Sequence, residues 1–362
     1  MLRAAHSPDS GFPQGGCYTL VVSASDEIVV FGAGSLGTRV ARAVNPVLFC
    51  DNNQNLWGTS VEGVPVESPV TAINHYPGAT FVAAIWNPSP TESMLDRIGQ
   101  LKRLGASRVI PFTDVLEEYG DRILPNLLWA KSDFYAAHAD EIREARSLLT
   151  ESGREEFDRQ MRLRSGKFDG QVIDQGIQYF PPEITLGDHE VFVDCGAYDG
   201  DTVAQFRKAT GDRFERIMAF EPNPFKLPLL REATKGDRRI SIQPYGVGNR
   251  RETVRFTDAG VGSRISADGG CEVQIVTLDE ALQGMAPTYM KFDIEGSELD
   301  ALEGGQGMIR RHRPKLAVCV YHVPDHLWRI PLKLHELVPD ATFTMRTYSA
   351  DGFECVCYCI PN

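Results

Sequence analysis

The stretch EVFVDCGAYDGDT, residues 190–202, decides how the second half of this chain folds. Apolar residues lead into Asp194, and two glycines and a further acid follow at Gly196, Gly200 and Asp201. A loop that only had to turn would need neither this much acid nor backbone this permissive. We therefore interpret the stretch as the first strand of an open α/β sheet and the loop that leaves it, where such sheets bind ligands.

β-Rich runs alternate with helical runs over the rest of this half. We predict main strands at VFVDC, RIMAFE, ISIQPY, YMKFDI, LAVCVY, ATFTMRTY and FECVCYCI, and an extra pair of short strands at ETVRF and EVQIVTL. Only SADG separates FECVCYCI from the strand before it, which predicts an antiparallel hairpin. The predicted fold class is α/β, a doubly wound sheet with an antiparallel last strand.

Three other segments precede this sheet. Residues 1–25, with HSPDSGFPQGG, have the composition of a flexible tail. Short β-rich runs alternate with helical stretches over residues 26–118, which predicts a small Rossmann-like domain. Residues 119–185 lose the strands but keep apolar residues at helical spacing, so we predict a helical connector with two helices and a turn near Gly153. The main sheet domain then occupies residues 186–362.

Composition excludes several classes of protein. A chain of 362 residues fits two domains, and a net charge of −12 without a basic stripe argues against a nucleic-acid partner. No run approaches the ~20 apolar residues of a membrane span, and the first residues lack the apolar core of a secretory signal. We expect a cytoplasmic protein with neither a membrane nor a nucleic-acid partner, and the sequence leaves a homo-oligomer open.

The eight cysteines lie mostly within apolar runs, where a thiol behaves as a small hydrophobic side chain. Cys355, Cys357 and Cys359 alternate and should share one face of a strand. A zinc site is the other reading of this run, but it would lack C-x-x-C spacing and a second pair of ligands. We therefore expect core packing in a reducing compartment.

The second predicted strand ends in AFEPNP and places an acid where a doubly wound fold presents one to a ribose. Glu221 lies 27 residues after Asp194, and a carboxylate can accept from both ribose hydroxyls. Asp194 and Asp201 would repel a pyrophosphate, while the helix that begins near Thr202 offers unpaired N–H groups. A ligand with a ribose, an amine and a sulfonium but no phosphate is S-adenosylmethionine. Alternatively, Asp194 only caps a turn and Glu221 is a solvated loop acid.

The segment YMKFDIEGSELDALEGG carries a third group of acids. Strand alternation puts Asp293 and Glu295 on the same side at the end of the fourth strand. Ser297 and Asp300 resemble a capping box, so the chemistry of a helix N-terminus accounts for the acids from Glu298 onward. It does not account for Asp293, which precedes the cap, and we expect Asp293 to face the cleft.

VCVYHVPDH ends the fifth strand and should place His322 beside Asp293. Our hypothesis is that His322 takes a proton from the substrate, directly or through water, while Asp293 orients either the imidazole or the acceptor. In the other reading, His322 and His326 are loop residues and Asp325 caps the next helix. A metal held by Asp293, Glu295 and His322 would need further ligands that the sequence does not supply, so we predict none.

These motifs, in this order, resemble the FkbM-type methyltransferase family over residues 190–362. K-x-D-x-E-G is their most diagnostic element, and the whole chain resembles two-domain bacterial members of that family. The resemblance implies S-adenosylmethionine-dependent methyl transfer, usually to a hydroxyl of a sugar, glycan or natural product. It also implies a cofactor site formed by Asp194, Gly196, Tyr198, Gly200, Asp201, Thr202, Glu221, Asn223, Tyr245 and Gly246, with Asp293 facing the acceptor. Tyr198 departs from the family, in which many members carry asparagine.

The Rossmann-like segment holds VVFGAGSLG, with Gly32, Gly34 and Gly37 in G-x-G-x-x-G spacing and Asp51 after the next strand. This fingerprint would suit a dinucleotide and supports a second hypothesis, an NAD-dependent oxidoreductase. Against it, the segment is short of strands and lacks a catalytic His or Lys group. CDNNQNLWGTSVEGVPV looks like the module of some sugar-modifying enzymes that holds a nucleotide-sugar or only packs. A catalytically silent pair of nucleotide folds is a third hypothesis.

Overall fold

The computed structural model describes residues 26–86, 88–89, 92–125, 127–168, 173–257, 264–265 and 270–362. The tail predicted at residues 1–25 lies outside them. Two compact units are present: the first holds the chain up to Ile85, Asp96–Leu124 and Ala130–Ala139, and the second holds Trp86–Leu95, Pro125–Trp129 and Asp140–Asn362. The connector predicted at 119–185 is thus divided between the two units.

The described residues of the first unit form six strands and most of five α-helices. The strands are β1 (Ile28–Phe31), β2 (Leu48–Cys50), β3 (Ser60–Val61), β4 (Val64–Glu67), β5 (Thr80–Ala83) and β6 (Arg108–Pro111). The helices are α1 (Ser35–Val44), α2 (Pro69–His75), α3 (Met94–Arg103), α4 (Leu116–Ile123) and α5 (Ser132–Ala137). The sheet order is β3-β4-β2-β1-β5-β6, and only β3 is antiparallel to its neighbour. Its parallel strands follow the order of a doubly wound fold, whereas a complete dinucleotide-binding fold adds one more strand.

The second unit begins with two helices and continues as an α/β sheet domain. Its helices are α6 (Ala139–Leu148), α7 (Glu151–Arg164), α8 (Asp201–Ala209), α9 (Leu227–Ala233), α10 (Leu278–Ala281), α11 (Glu298–Gly304), α12 (Gln306–His312) and α13 (His326–Leu337). Its strands are β7 (Val191–Cys195), β8 (Arg216–Phe220), β9 (Ile240–Gln243), β10 (Gly246–Val247), β11 (Glu252–Thr257), β12 (Arg264–Ile265), β13 (Cys271–Val276), β14 (Tyr289–Phe292), β15 (Lys315–Cys319), β16 (Thr342–Thr347) and β17 (Cys355–Ile360).

The main sheet of the second unit has the order β16-β17-β15-β14-β7-β8-β9. Strand β17 is antiparallel to both of its neighbours, and the other pairs are parallel. The predicted α/β class with an antiparallel last strand is confirmed, although β17 lies inside the sheet rather than at its edge. The strand order reverses between β7 and β14, so the crevice for a ligand lies outside the carboxyl ends of these two strands.

The predicted pair of extra short strands forms part of a separate small sheet. Strands β11 and β13 pair antiparallel, and the order of the four strands is β10-β13-β11-β12. Strand β10 begins three residues after β9 ends. This small sheet therefore follows the third strand of the main sheet directly and continues the chain beside the ligand crevice.

The turn predicted near Gly153 is wrong by a few residues. Helix α6 ends at Leu148, and α7 starts at Glu151 with Thr150 as its cap. The Thr150 hydroxyl accepts a hydrogen bond from the Gly153 N–H at 3.2 Å, which places Gly153 in the first helical turn. A Cβ on Gly153 would lie 3.1 Å from the Thr344 Cα, so close packing on β16 accounts for the glycine.

Aromatic stacking holds the strands that lead to the crevice. The Phe192 ring stacks on Phe206 with centroids 4.5 Å apart and on Tyr289 with centroids 5.4 Å apart, which ties β7 to α8 and β14. Strand β17 is buried on both faces over Cys355–Cys359, and its three cysteines are free thiols within the core. No helix in the described part of the chain has both the length and the apolar character that a membrane crossing requires.

Candidate active site

The loop after β7 passes so close to the end of β14 that only glycine fits. Gly196 has φ +88°, and a Cβ there would lie 1.9 Å from the Asp293 carbonyl oxygen. The Gly196 N–H donates to the Phe220 carbonyl of β8 at 3.0 Å. Gly200, at φ +95°, then caps α8. The predicted glycine loop therefore spans the point at which the strand order reverses.

A buried ion pair supports this loop from below. Asp194 and Lys291 are register partners on β7 and β14, and Nζ of Lys291 lies 3.1 Å from Oδ1 of Asp194. The same ammonium donates to the Gly196 carbonyl at 2.6 Å. Burial raises the pKa of Asp194 to about 6 against the opposing charge of Lys291. Burial alone would lower the pKa of Lys291, but the charge of Asp194 holds it above its usual value.

Asp194 is completely buried. The sequence led us to expect direct contact between this carboxylate and a ligand, whereas the structure places it beneath the loop. Asp194 contacts Lys291, and Lys291 donates to the Gly196 carbonyl. Asp194 therefore supports the glycine loop through Lys291.

Glu221 joins the glycine loop to the loop that follows β8. One carboxylate oxygen accepts from the Tyr198 N–H at 2.9 Å, and the other accepts from the Asn223 N–H at 2.7 Å. Burial raises the pKa of Glu221, and these two backbone hydrogen bonds oppose the rise. Each oxygen keeps a second lone pair that could accept from a ligand.

The other residues predicted to bind the cofactor differ in burial and in their distance from these two loops. A Cβ on Gly246 would lie 3.7 Å from Pro222, so the third-strand loop borders the Glu221 loop. Tyr245 is half-buried before β10. Asp201 is exposed at the start of α8, and its carboxylate accepts from the Thr202 N–H at 2.6 Å.

His322 lies in a group of carboxylates at the ends of β14 and β15. Its Nδ1 is 2.8 Å from Oε1 of Glu298, and its Nε2 is 3.4 Å from Oδ1 of Asp293 and 3.8 Å from Oε2 of Glu295. The structure thus brings His322 and Asp293 together, as the sequence led us to expect. The other Asp293 oxygen accepts from the Tyr179 hydroxyl at 2.8 Å.

These carboxylates determine the charge of the ring. Burial alone would lower the pKa of His322, but Glu298, Asp293 and Glu295 raise it to about 10. Burial raises the pKa of Glu295 to about 7. Glu298 is buried too, yet the charge of His322 and its hydrogen bond hold the Glu298 pKa well below its usual range. With only these groups present, the ring carries a proton at neutral pH, and a protonated imidazole donates rather than accepts.

Comparison with protein-family models gives a match over this part of the chain. Residues 194–348, which contain the glycine loop, Glu221 and the His322 group, match the model described as the methyltransferase FkbM domain. We call the part of the second unit that contains this match the FkbM domain. The resemblance predicted from the motifs is confirmed, and so is the coarser expectation of a methyltransferase.

A solved structure agrees with this assignment in fold. The methyltransferase FkbM from Methylobacillus flagellatus KT matches 92% of this chain and 89% of its own length, with a TM-score of 0.71 and 19% sequence identity. A precorrin-6y C5,15-methyltransferase from Geobacter metallireducens GS-15 matches 49% of the chain and 82% of its own length, at 13% identity. Its TM-score of 0.31 is too low to support an argument. No curated protein sequence matches the chain.

Sequence reasoning gave no role in the site to two buried charged residues of the FkbM domain: Lys291, the lysine of K-x-D-x-E-G, and Glu298. The signal for Lys291 was a lysine inside the otherwise apolar strand YMKF. Glu298 was assigned to helix-end chemistry, which describes it only in part: its Oε1 accepts from the Ile294 N–H at 3.0 Å at the start of α11. Ser297 makes no capping hydrogen bond, while Glu298 is fully buried between His322 and His326, with Oε2 3.1 Å from Nδ1 of His326.

The glycine fingerprint of the first unit is explained largely by packing. A Cβ on Gly32, at φ +113°, would lie 2.6 Å from Cγ1 of Ile85, and a Cβ on Gly37 would lie 1.8 Å from the Gly32 carbonyl oxygen. Of the three fingerprint glycines, Gly34 alone has no atom within 4 Å of its hypothetical Cβ. Two of the three glycines are therefore required by the fold itself, whether or not a nucleotide binds.

Asp51, the acid of the same fingerprint, binds backbone groups of its own unit. One of its oxygens accepts from the Ala33 N–H and the other from the Asn53 N–H, both at 2.7 Å. These bonds connect the loop after β1 to the loop after β2. The fingerprint therefore has a structural explanation that is independent of NAD, and nucleotide binding by this unit stays a hypothesis.

Proposed function

We propose that the FkbM domain transfers a methyl group from S-adenosylmethionine to a hydroxyl of a sugar, glycan or natural-product acceptor. The family match supports methyl transfer, and the crevice at the reversal of strand order provides the place for the cofactor. The acceptor class follows from the family resemblance of the motifs.

The arrangement of Glu221 carries the proposal. Its carboxylate stands at the end of β8, next to the glycine loop, with both oxygens fixed by the N–H groups of Tyr198 and Asn223. A preorganised carboxylate at this place suits the two hydroxyls of a ribose. The exposed Asp201 at the start of α8 would repel a pyrophosphate and suits the ammonium of a methionine end. These acids favour S-adenosylmethionine over a dinucleotide.

The chemistry requires alignment first. The acceptor oxygen attacks the methyl carbon as the bond from that carbon to sulfur breaks, which leaves S-adenosylhomocysteine, and holding the three atoms in line supplies most of the acceleration. The acceptor hydroxyl must also lose its proton. We place the acceptor at Asp293 and His322, since Asp293 is partly exposed, with 24% of its side chain accessible, beside the buried imidazole.

Replacing Glu221 tests the cofactor site. Glu221→Ala is expected to weaken the binding of S-adenosylhomocysteine by about 1–3 kcal/mol, since it removes charge-assisted hydrogen bonds. Isothermal titration calorimetry measures this change, and Glu215→Ala, at an exposed position before the same strand, is the matched control.

Unchanged affinity in Glu221→Ala would remove this residue from the cofactor site. A parallel titration with NADH addresses the oxidoreductase hypothesis. Binding of NADH without binding of S-adenosylhomocysteine would replace our proposal by that one. Melting temperatures of both variants show whether loss of the backbone hydrogen bonds has loosened the two loops.

A further inference from the structure

We propose that His322 and Asp293 hold a divalent metal ion that binds the acceptor hydroxyl, an inference that rests on the proposed methyl transfer. Nε2 of His322 lies in a side chain only 2% exposed, and it has no hydrogen-bond partner among the described residues. Oδ1 of Asp293 and Oε2 of Glu295 both lie within 4 Å of it. A cation between Nε2 and these two oxygens would give all three atoms a partner that the described side chains do not provide.

The distances fit a coordination shell better than hydrogen bonds. Nε2 is 3.4 Å from the Asp293 oxygen and 3.8 Å from the Glu295 oxygen, whereas an N–H···O bond spans roughly 2.7–3.2 Å. Two ligand atoms that each lie about 2.0–2.2 Å from an ion at a tetrahedral angle are roughly 3.3–3.6 Å apart. Nε2 and the Asp293 oxygen meet this spacing, and the Glu295 side chain must rotate slightly to join them.

A metal-binding histidine ordinarily donates its second ring N–H to a carboxylate, and Glu298 provides that carboxylate for His322. Its carboxylate is fully buried and lies 2.8 Å from Nδ1 of His322, so Nδ1 donates and the lone pair of Nε2 is available for the ion. Carboxylate–histidine–metal chains of this kind fix the ring and its tautomer. Oxygen and imidazole ligands together suit Mn²⁺ or Zn²⁺.

The charges of the cluster also favour a dication. Three carboxylates, Asp293, Glu295 and Glu298, face two imidazoles, and the second of these, His326, contacts the Glu298 oxygen away from His322. Asp293 and Glu295 keep 24% and 33% of their side chains exposed, so an ion can enter from solvent and retain open positions. An acceptor hydroxyl in such a position would lose its proton more readily, to a water molecule at the solvent-exposed side of the cluster, so His322 need not act as a base.

The experiment uses Mn²⁺ and the full chain after treatment with a chelator. We expect one Mn²⁺ ion to bind per chain. Binding is measured as the loss of the free-ion signal in electron paramagnetic resonance. His322→Ala and Asp293→Asn should abolish this binding, and Glu298→Gln should weaken it by about 10–100-fold. His312→Ala and Asp300→Asn are matched controls at positions outside the cluster and should bind as the unchanged protein does.

Absence of stoichiometric Mn²⁺ binding, or binding that survives His322→Ala, would overturn the inference. Binding of S-adenosylhomocysteine is measured on the same samples. A variant that retains it is folded, so its loss of Mn²⁺ binding counts in favour of the site. A chain that binds S-adenosylhomocysteine but no Mn²⁺ disproves only the metal site, and one that binds Mn²⁺ but no S-adenosylhomocysteine disproves only the proposed function.

Discussion

Lys291→Met is expected to lower the free energy of unfolding of the FkbM domain by about 3–5 kcal/mol, because it leaves the Asp194 carboxylate buried and unpaired. It also removes the donor that holds the Gly196 carbonyl, so binding of S-adenosylhomocysteine should weaken with the loss of loop geometry. Chemical denaturation followed by circular dichroism measures the first effect, and calorimetry measures the second.

The loss of unfolding free energy in Lys291→Met should change with pH in one direction. The pKa of Asp194 is raised to about 6 even beside Lys291, and removal of the ammonium raises it further. A carboxyl with a raised pKa in the folded state loses stabilisation as the pH rises through that pKa. The deficit of Lys291→Met should therefore be larger at about pH 8 than at about pH 5.

The double variant Lys291→Met, Asp194→Asn controls for the charge. It removes both partners and should recover much of the lost stability, because no buried charge remains. A Lys291→Met protein as stable as the unchanged chain at both pH values would show that the buried pair is not formed in solution.

Gly37→Ala is expected to destabilise the first unit by about 3 kcal/mol or more, since the added Cβ would lie 1.8 Å from the Gly32 carbonyl oxygen. Gly34→Ala should leave stability within about 0.5 kcal/mol, because the Cβ meets no atom within 4 Å. Hydrogen exchange of the amides in β1 and α1 reports on this unit separately from the FkbM domain.

The two glycine variants together also test for a ligand. A side chain has room at Gly34 but not at Gly37. If Gly34→Ala weakens the binding of a nucleotide or nucleotide-sugar without changing amide exchange, the loop is a binding site. Wild-type exchange rates in Gly37→Ala would contradict the packing explanation.

The positions of strand-end residues could be predicted from the sequence. The carboxyl ends of parallel strands lie at one edge of a sheet. The acids at the ends of VFVDC and AFE and the histidine after VCVY therefore had to lie at the same edge. The structure puts Glu221 next to the glycine loop and His322 beside Asp293 accordingly. The short turn sequence SADG also predicted the antiparallel hairpin of β16 and β17.

Interactions between strands could not be predicted in the same way. Lys291 meets Asp194 only because β14 pairs with β7 in one register, and a shift of one residue would turn the lysine to the other face. Glu298 belongs to a helix start, where an exposed acid is the usual finding, and its burial depends on the path of the chain after β15. Long-range packing decides both positions.

The place of β17 in the sheet has a consequence for the order of events during protein synthesis. Strands β15 and β16 both emerge from the ribosome before β17, yet each needs β17 as its hydrogen-bonded neighbour. Until Cys355–Ile360 has been synthesised, both keep an open edge that can pair with strands of other chains. Chaperones should therefore bind the nascent chain at this stage, and the domain completes its sheet only when its last strand is inserted.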